Sequence, residues 1–350
     1  MAESTLNLNR DPLPGAGVRS VGIGGRLKAE CADFVVEEVP AYAPCGEGEH
    51  LFLWIEKEDV SSEFLTRHLS SCLDLPAHEI GFAGMKDRRA ITRQYVSVPA
   101  HREGKVELVE TDLIRVLHTR RHTNKLKMGH LHGNHFSILV RDANPDLLSA
   151  ARQRATEILG QGFPNYYGEQ RFGNQDNTLE LGLGLLSGSK SKRDIPHARR
   201  KFLLKLALSA AQSHLFNLAL AARVRDGLLY RVLLGDVMQV VASDGIFLAN
   251  GDTADQERFD AGEIVTTGPM FGPKMRSPEH EVLARESQLL LDCGLTREAF
   301  VTYSRLTSGT RRPYLVRPGS LQVERDPLGL RFQFTLPTGA YATTLLQGFL

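Results

Sequence analysis

The sequence of 350 residues predicts an α+β protein, in which strands and helices occupy separate stretches of the chain. Short apolar runs dominate the first 140 residues, and helical periodicity dominates from about residue 162 to 235. Strand patterns return after Gly309. The regular alternation of strand and helix that a doubly wound sheet needs is absent. The order strand-rich, helix-rich, strand-rich therefore predicts an insertion, after which the C-terminal segment completes the first domain's sheet.

The elements of the first half follow from local patterns. An apolar run at residues 33–40 ends at a proline and predicts a strand, and residues 51–55 predict a second. Ser61 or Ser62 is a suitable cap for a following helix whose apolar side chains recur at helical spacing. Residues 80–82 are a short apolar run that precedes a charged loop. Further strands are predicted at residues 94–98, 113–117 and 135–140, and a helix at residues 145–159.

The second half begins with helices and returns to strands. Residues 199–225 are rich in Ala and Leu and predict one or two helices. Short strands and turns are predicted between residues 237 and 272, and a helix at residues 279–295. The last predicted strands are residues 320–325 and 329–336, whereas the first 20 residues form a loose lead-in.

Bulk composition narrows the class of protein. The net charge is +1, so any nucleic-acid contact must come from the distribution of charge rather than from its total. No apolar stretch approaches the roughly 20 residues of a membrane helix, and the N-terminus has no signal-peptide pattern. We therefore expect no membrane association. The four cysteines are scattered and form no CxxC pair, which argues against a disulfide framework or a structural zinc site, so we expect a cytoplasmic protein. The cysteines are Cys31, Cys45, Cys72 and Cys293.

The most informative segment is the charged stretch at residues 81–95, in which one acid lies among several bases. Asp87 is flanked by Lys86, Arg88 and Arg89. Neighbouring cations favour an ionised carboxylate and can also hold an RNA phosphate backbone beside it. A carboxylate in that position can attack a sugar carbon or move a proton. The alternative interpretation is a solvated turn in which the charges screen one another.

Six blocks of sequence, in order along nearly the whole chain, resemble the TruD family of pseudouridine synthases. Residues 86–90 (KDRRA), with Thr92 and Gln94, resemble its active-site motif, in which the aspartate is the single essential catalytic residue. The other blocks are residues 33–37 (DFVVE) followed by 46–50 (GEGEH), 133–136 (GNHF), 165–173 (NYYGEQRFG), 209–217 (SAAQS and FN) and 336–343 (LPTGAYAT). The resemblance implies that Asp87 is the catalytic residue.

The resemblance also implies an architecture. Residues 20–160 and 309–350 would form a catalytic domain around a mostly antiparallel sheet flanked by helices. Residues 161–308 would form an inserted α+β domain specific to the family. No metal and no cofactor is needed for the chemistry, and the histidines between residues 118 and 135 show no recognised zinc spacing.

Four side chains are implied as substrate contacts. Phe136 and Tyr341 occupy the places of aromatic residues that hold an extruded base, although the family usually has Phe in place of Tyr341. Asn134 is expected to hydrogen-bond the base or to fix the loop around Asp87, and Lys28 to contact the phosphate or the substrate. The alternatives are two core aromatic residues, a turn asparagine and a surface lysine.

Basic residues outside the motif favour an RNA partner, which the resemblance identifies as tRNA. The stretch from residue 115 to 132 contains no acid, and residues 190–201 contain six bases and one acid. Solvated surface charge is the alternative. The expected RNA contacts are Lys86, Arg88, Arg89, Arg120, Arg121, Lys125, Lys127 and Arg171, the last of which has a domain-junction role as its alternative. We expect a monomer with no obligate protein partner.

The reaction that the resemblance implies is the isomerisation of a uridine in tRNA to pseudouridine, at nucleotide 13 in the D-arm. Proposals for the family differ on whether the aspartate attacks the sugar, adds to the base or abstracts a sugar proton, and these alternatives stay open here. Two rival classes are a non-catalytic RNA-binding protein on the same scaffold and a nucleoside glycosylase that releases a free base.

Overall fold

The computed structural model describes residues 20–173 and 177–350, so that residues 1–19 of the predicted lead-in lie outside it. The described chain forms two compact units. The first, called the sheet unit below, comprises Val21–Gly160, Arg317–Ala342 and the two C-terminal residues. The second, called the helical unit, comprises Gln161–Val316 and Thr343–Gly348.

The sheet unit is built on one eight-stranded sheet. Its strands are β1 (Phe34–Pro40), β2 (His50–Glu58), β3 (Gly81–Phe82), β4 (Ile91–Pro99), β5 (Ile114–His122), β6 (Leu131–Arg141), β13 (Ser320–Asp326) and β14 (Gly329–Pro337). Their order is β13-β14-β6-β1-β4-β2-β5, with β3 paired to β4. Among these strands only β1 and β4 pair in parallel, so the predicted mostly antiparallel α+β fold is confirmed. Its helices are α1 (Ser62–Cys72) and α2 (Leu148–Gln161).

Helix α1 covers one face of this sheet beside the charged loop. Its N-cap is Ser61, whose side chain accepts a hydrogen bond from the backbone N–H of Phe64 at 3.1 Å. Leu65 and Leu69 are completely buried in one apolar cluster with Ile55 of β2. The alternation of apolar and polar residues in β2 and the helical spacing in α1 therefore meet in a shared core.

The helical unit contains α3 (Asn177–Ser187), α4 (Arg200–Arg225), α5 (Thr253–Asp260), α6 (His280–Asp292) and most of α7 (Ala342–Leu346). Its strands are β7 (Phe163–Pro164), β8 (Val237–Val240), β9 (Ile246–Leu248), β10 (Ile264–Met270), β11 (Thr310–Pro313) and β12 (Leu315–Val316). Two buried ion pairs hold this unit together, Arg223 with Asp236 and Arg311 with Glu286. No helix in residues 20–173 and 177–350 is long and apolar enough to cross a membrane.

Most predicted elements are present, but two short helices, α5 and α7, are not predicted by the sequence pattern. The sequence predicts only strands and turns between residues 237 and 272, but α5 lies there, capped by Asp252. The eight residues of α5 include few apolar side chains, so its periodicity is weak. Its buried Phe259 lies in one apolar cluster with residues of the following strand β10 and of α4, the latter distant in sequence. Tertiary packing rather than an amphipathic pattern stabilises this short helix.

Candidate active site

Asp87 lies in the loop between β3 and β4, and a distant lysine pairs with it. The Nζ atom of Lys28 lies 2.9 Å from the Oδ2 atom of Asp87. The Asp87 side chain is 39% exposed and that of Lys28 is 27% exposed, so both remain accessible to a ligand. The pair places a carboxylate beside a cation at a partly buried position. Such a carboxylate can attack a nucleoside or take a proton from it.

Lys28 links this carboxylate to a row of aromatic rings. Its Nζ lies 4.0 Å from the centroid of the Phe34 ring, a cation–π contact. The Phe34 ring meets Phe136 edge-on at 6.2 Å, and Phe136 stacks on Phe334 at 5.2 Å. The backbone of Lys28 has φ +54°, a left-handed conformation that is uncommon for a residue with a Cβ and is retained mainly at functional positions.

A buried lysine holds the loop from below. Lys57, at the end of β2, is fully buried, and its Nζ donates to the backbone carbonyl oxygens of Asp87 at 2.9 Å and Val60 at 2.6 Å. Burial lowers the pKa of Lys57 to about 8, although the negative charge of Asp87 opposes the shift. The ammonium therefore anchors the backbone of the catalytic candidate while its own charge is costly to bury.

Lys86 also faces inward. Its Nζ donates to Oε2 of Glu38 at 2.8 Å, with the two side chains 3% and 0% exposed. Burial raises the pKa of Glu38, and the charge and hydrogen bond of Lys86 offset part of that rise. An ammonium enclosed in this pair is not presented to a phosphate group, so its placement does not favour the RNA contact predicted for Lys86.

The N-terminus of α1 supplies a further attachment for the same loop. The Oγ atom of Ser62 lies 3.3 Å from both the backbone nitrogen and the backbone oxygen of Lys86. Lys57, Ser62 and Glu38 thus hold two consecutive residues of the loop, Lys86 and Asp87. Such anchoring fixes the position of the carboxylate before a substrate arrives.

Several polar atoms on the same face of the sheet have no hydrogen-bond partner among the described residues. They are Oγ1 of Thr92, Oε1 of Gln94 and Oδ1 of Asn134. Register places Thr92 opposite Lys57, and Asn134 opposite Glu38, and paired residues project to the same face. Buried polar atoms are normally satisfied, so this group near Asp87 fits a polar ligand such as a nucleobase.

The C-terminal strand β14 completes this face. Its Phe334 and Leu336 pair with Phe136 and Asn134 of β6. The approach is so close that a Cβ on Gly133 would lie 2.1 Å from the backbone oxygen of Leu336, which explains the glycine of the GNHF block. Tyr341 is half-buried in the segment that follows β14.

The other predicted RNA contacts lie at different places. Arg88 is exposed and pairs with Asp59 at 3.2 Å, and Arg89 is exposed and donates to the backbone oxygen of Ala29 at 3.3 Å. These two arginines follow Asp87 directly in the sequence, and their side chains remain accessible.

On the far edge of the sheet unit, Arg120 and Lys127 are exposed. Arg121 pairs with Glu103 at 2.6 Å, and the Nζ of Lys125 donates to the backbone oxygen of His78. Arg171 belongs to the helical unit, where it donates to the hydroxyl groups of Ser209 at 2.5 Å and Ser213 at 3.2 Å. Arg121, Lys125 and Arg171 thus already have polar partners within their own unit.

Sequence reasoning missed Lys57 and Glu38. Leu51, Leu53 and Ile55 are buried on one face of β2, and Lys57 continues that face. A lysine at the next position of an apolar alternation is a detectable sign of a buried cation. Glu38 lies at the end of the apolar run of β1, as Lys57 does in β2. Among the described residues, no group of three or more His, Cys, Asp or Glu side chains is arranged to hold a metal ion.

Comparisons with known proteins agree on one family. The family described as tRNA pseudouridine synthase D (TruD) matches residues 17–193 and 190–349. A tRNA pseudouridine synthase D of Anaeromyxobacter sp. (strain Fw109-5) is 38% identical over 328 residues, which cover 93% of this chain and 92% of the relative. One from Thermus thermophilus is 40% identical over 327 residues, which cover 93% of this chain and 88% of the relative.

A solved structure supports the same fold. The crystal structure of a putative tRNA pseudouridine synthase D from Methanosarcina mazei superposes with a TM-score of 0.74, at 24% identity, and covers 95% of each chain.

Proposed function

This chain belongs to the tRNA pseudouridine synthase D (TruD) family, and on that premise we propose that Asp87 is its catalytic carboxylate. The enzyme is an isomerase that converts a uridine of tRNA to pseudouridine. The observation that carries the assignment of Asp87 is the 2.9 Å ion pair between its half-exposed carboxylate and Lys28. The backbone of the same residue is anchored by the buried Lys57.

The reaction breaks the bond between N1 of uracil and the C1′ carbon of ribose and makes a bond between C5 and C1′. The proton on C5 is lost and N1 gains one, so no oxidant or hydrolysis is involved. Asp87 can attack the sugar, add to the base or abstract a sugar proton, and all three begin from the ionised carboxylate. The ammonium of Lys28 stabilises that charged form and orients it.

Binding of the extruded uridine is proposed to use the face described above. Phe136 and Tyr341 would contact the base, and Asn134 would use its unpartnered Oδ1 as an acceptor. The base N3–H of uracil is a matching donor. An apolar surround keeps water from the detached uracil and so favours rejoining over hydrolysis.

The RNA contacts proposed around this centre are the exposed Arg88, Arg89, Arg120 and Lys127. We propose uridine-13 as the modified position, as the family resemblance implies. We also propose that the enzyme works as a monomer in the cytoplasm. The absence of disulfides among its four cysteines, all of which lie in the described residues, is compatible with a reducing compartment.

The test is to incubate the purified protein with unmodified tRNA and to map pseudouridine by carbodiimide treatment and primer extension. Wild-type protein should produce the stop that marks pseudouridine at nucleotide 13, and Asp87→Ala should abolish it while tRNA binding persists. Asp112→Ala, which removes an exposed acid in the turn before β5, serves as a matched control and should be fully active.

The same assay separates the rival classes. A non-catalytic RNA-binding protein would bind tRNA without producing pseudouridine, and a glycosylase would release free uracil. A fully active Asp87→Ala variant would refute the site assignment, and a stop at another nucleotide would refute the choice of uridine-13.

A further inference from the structure

The sheet unit contains a second cavity that the reaction described above does not use. It has a volume of about 620 Å³ and lies where β2 and β5 meet the segment between β5 and β6. Six of its lining residues together are called the histidine pocket below. They are Tyr42, His50, His122, Lys125, Lys127 and His130.

One wall of the histidine pocket is an aromatic stack. The rings of Tyr42 and His122 stack with centroids 5.0 Å apart and an interplanar angle of 25°. Phe52, fully buried beneath them, meets His122 edge-on at 4.9 Å. Tyr42 is half-buried and therefore keeps part of its surface accessible. A supported ring of this kind is a platform on which a nucleobase can stack.

Hydrogen bonds from the backbone define the tautomers of two histidines. The N–H of Cys45 donates to Nδ1 of His122 at 3.2 Å, and the N–H of Lys127 donates to Nδ1 of His130 at 3.4 Å. The hydroxyl of Tyr42 also lies 2.7 Å from Nδ1 of His130. Because Nδ1 is the acceptor in both rings, Nε2–H is the donor that each neutral ring retains for a ligand.

The charge of the pocket is one-sided. No aspartate or glutamate lines it, whereas Lys125 and Lys127 do. Nδ1 of His50 is buried and has no hydrogen-bond partner among the described residues. Burial lowers the pKa of His50, and Lys125 and His122 lower it further, against the opposing effect of Glu49. A positive potential that no lining acid compensates attracts an anion.

The histidine pocket is connected to the loop that carries Asp87. The N–H of Gly129 donates to the backbone oxygen of Ala83 at 2.8 Å, and Leu126 packs against Ala83 in a small apolar cluster. Ala83 lies in the same connection between β3 and β4 as Asp87. The histidine pocket therefore adjoins the connection that carries Asp87, and its His50 projects from the face of β2 opposite to that of Lys57.

We propose that the histidine pocket binds a second nucleotide of the RNA substrate, outside the uridine that is isomerised. Its base stacks on Tyr42, and its phosphodiester is held by Lys127 and the Nε2–H groups of His122 and His130. An aromatic face beside cationic donors matches a nucleotide, which has both a π surface and an anionic phosphate. An acidic peptide would use the cations but not the ring. This inference rests on the proposed function, since the RNA is the substrate of Asp87.

The test measures binding of unmodified tRNA and its salt dependence for two pocket variants. Tyr42→Leu removes the stacking ring and should raise Kd by about 5- to 160-fold. Lys127→Gln removes one phosphate contact and should reduce the slope of log Kd against log salt by roughly 0.7–0.9. In both variants the loss should lie in Kd and KM rather than in kcat, because neither residue contacts the reacting uridine.

Two controls isolate the pocket. Tyr42→Phe keeps the ring and removes the hydroxyl that lies 2.7 Å from Nδ1 of His130, so it should retain the stacking contribution and bind tRNA more tightly than Tyr42→Leu does. Lys105→Gln removes a lysine of the same unit that lies 3.9 Å from Asp74, and it should leave the salt slope unchanged. Circular dichroism and thermal unfolding of Tyr42→Leu show whether its fold is intact. If it is not, Lys127→Gln, an exposed substitution, still decides whether the pocket contacts RNA.

The outcomes are separable. If wild-type protein makes no pseudouridine, the proposed function fails, whatever the variants do. If wild type is active but Lys127→Gln keeps both Kd and the salt slope, the pocket does not contact RNA and this inference is overturned. If Lys127→Gln binds more weakly while a folded Tyr42→Leu binds normally, only a phosphate is held, and the assignment of a nucleotide is refuted.

Discussion

Lys57→Met is the substitution that most directly tests how the loop around Asp87 is held. Methionine preserves most of the volume of the buried side chain and removes its ammonium. Lys57 donates hydrogen bonds to the backbone oxygens of Asp87 and Val60 at 2.9 and 2.6 Å. The variant therefore releases the backbone of the catalytic candidate without touching its carboxylate.

The expected effect on stability is small because two contributions oppose each other. Two hydrogen bonds from a charged donor contribute about 1.5–3 kcal/mol each. Burial lowers the pKa of Lys57 from 10.5 to about 8. That difference corresponds to about 3 kcal/mol of destabilisation below pH 8, which methionine relieves. The free energy of unfolding at pH 7 should therefore fall by no more than about 3 kcal/mol.

The expected effect on catalysis is larger. A displacement of about 1 Å at a catalytic group can reduce the rate about 100-fold. We expect kcat for pseudouridine formation to fall by about that factor, with Kd for tRNA changed by less than about threefold. Single-turnover kinetics with saturating enzyme and filter binding of labelled tRNA measure the two quantities separately.

Ile55→Val is the matched control, because Ile55 is fully buried on the same face of β2 but does not contact the loop backbone through a polar group. It should lose about 0.5–1.5 kcal/mol of stability and keep its kcat. If Lys57→Met retained wild-type kcat, or if Ile55→Val lost kcat to the same extent, the anchoring argument would be wrong.

The titration of Lys57 gives an independent check with a defined sign. Between pH 8 and 10.5 the folded state has lost the proton of Lys57 while the unfolded state still holds it. Stability rises with pH where the unfolded state binds more protons. The unfolding free energy of wild type should thus gain up to about 3 kcal/mol over Lys57→Met across this window. Urea unfolding of both proteins at a series of pH values measures the difference, and parallel curves would contradict the pKa argument.

Three further substitutions test the surroundings of the site. Lys86→Met leaves the buried carboxylate of Glu38 without its ion-pair partner and should lower the free energy of unfolding in urea by about 3–5 kcal/mol. Adding Glu38→Gln should restore most of the lost stability. A changed salt slope for tRNA binding in Lys86→Met would instead support an RNA contact. Gly133→Ala places a Cβ 2.1 Å from the Leu336 backbone oxygen and should lower stability by at least about 1–3 kcal/mol, as thermal unfolding would show. Ser61→Ala removes the cap of α1 and should cost about 0.5–2 kcal/mol, with no change in unfolding midpoint counting against the cap.

Local patterns were sufficient for much of the fold. The run that became β1, the strand β2 and the Ser61 cap of α1 are all readable within a few residues, because alternation and capping are local properties. Helix α5 is not predicted, since its stability comes from burying Phe259 in a cluster with β10 and with α4, which is distant in sequence. The eight-stranded order, with β14 beside β6, also depends on contacts between residues about 200 apart.

The order of residues along the chain is enough to show that one acid, Asp87, lies in a basic loop and that six family blocks occur in order. Which bases accompany that acid follows from the folded arrangement. Lys86 is adjacent in sequence but turns inward to Glu38, whereas Lys28, 59 residues away, pairs with the carboxylate. The ammonium of Lys57 donates to the backbone oxygen of Asp87. Proximity in sequence limits the distance between the backbones of two residues. The position of each charged side chain depends on packing and on the cost of removing its charge from water.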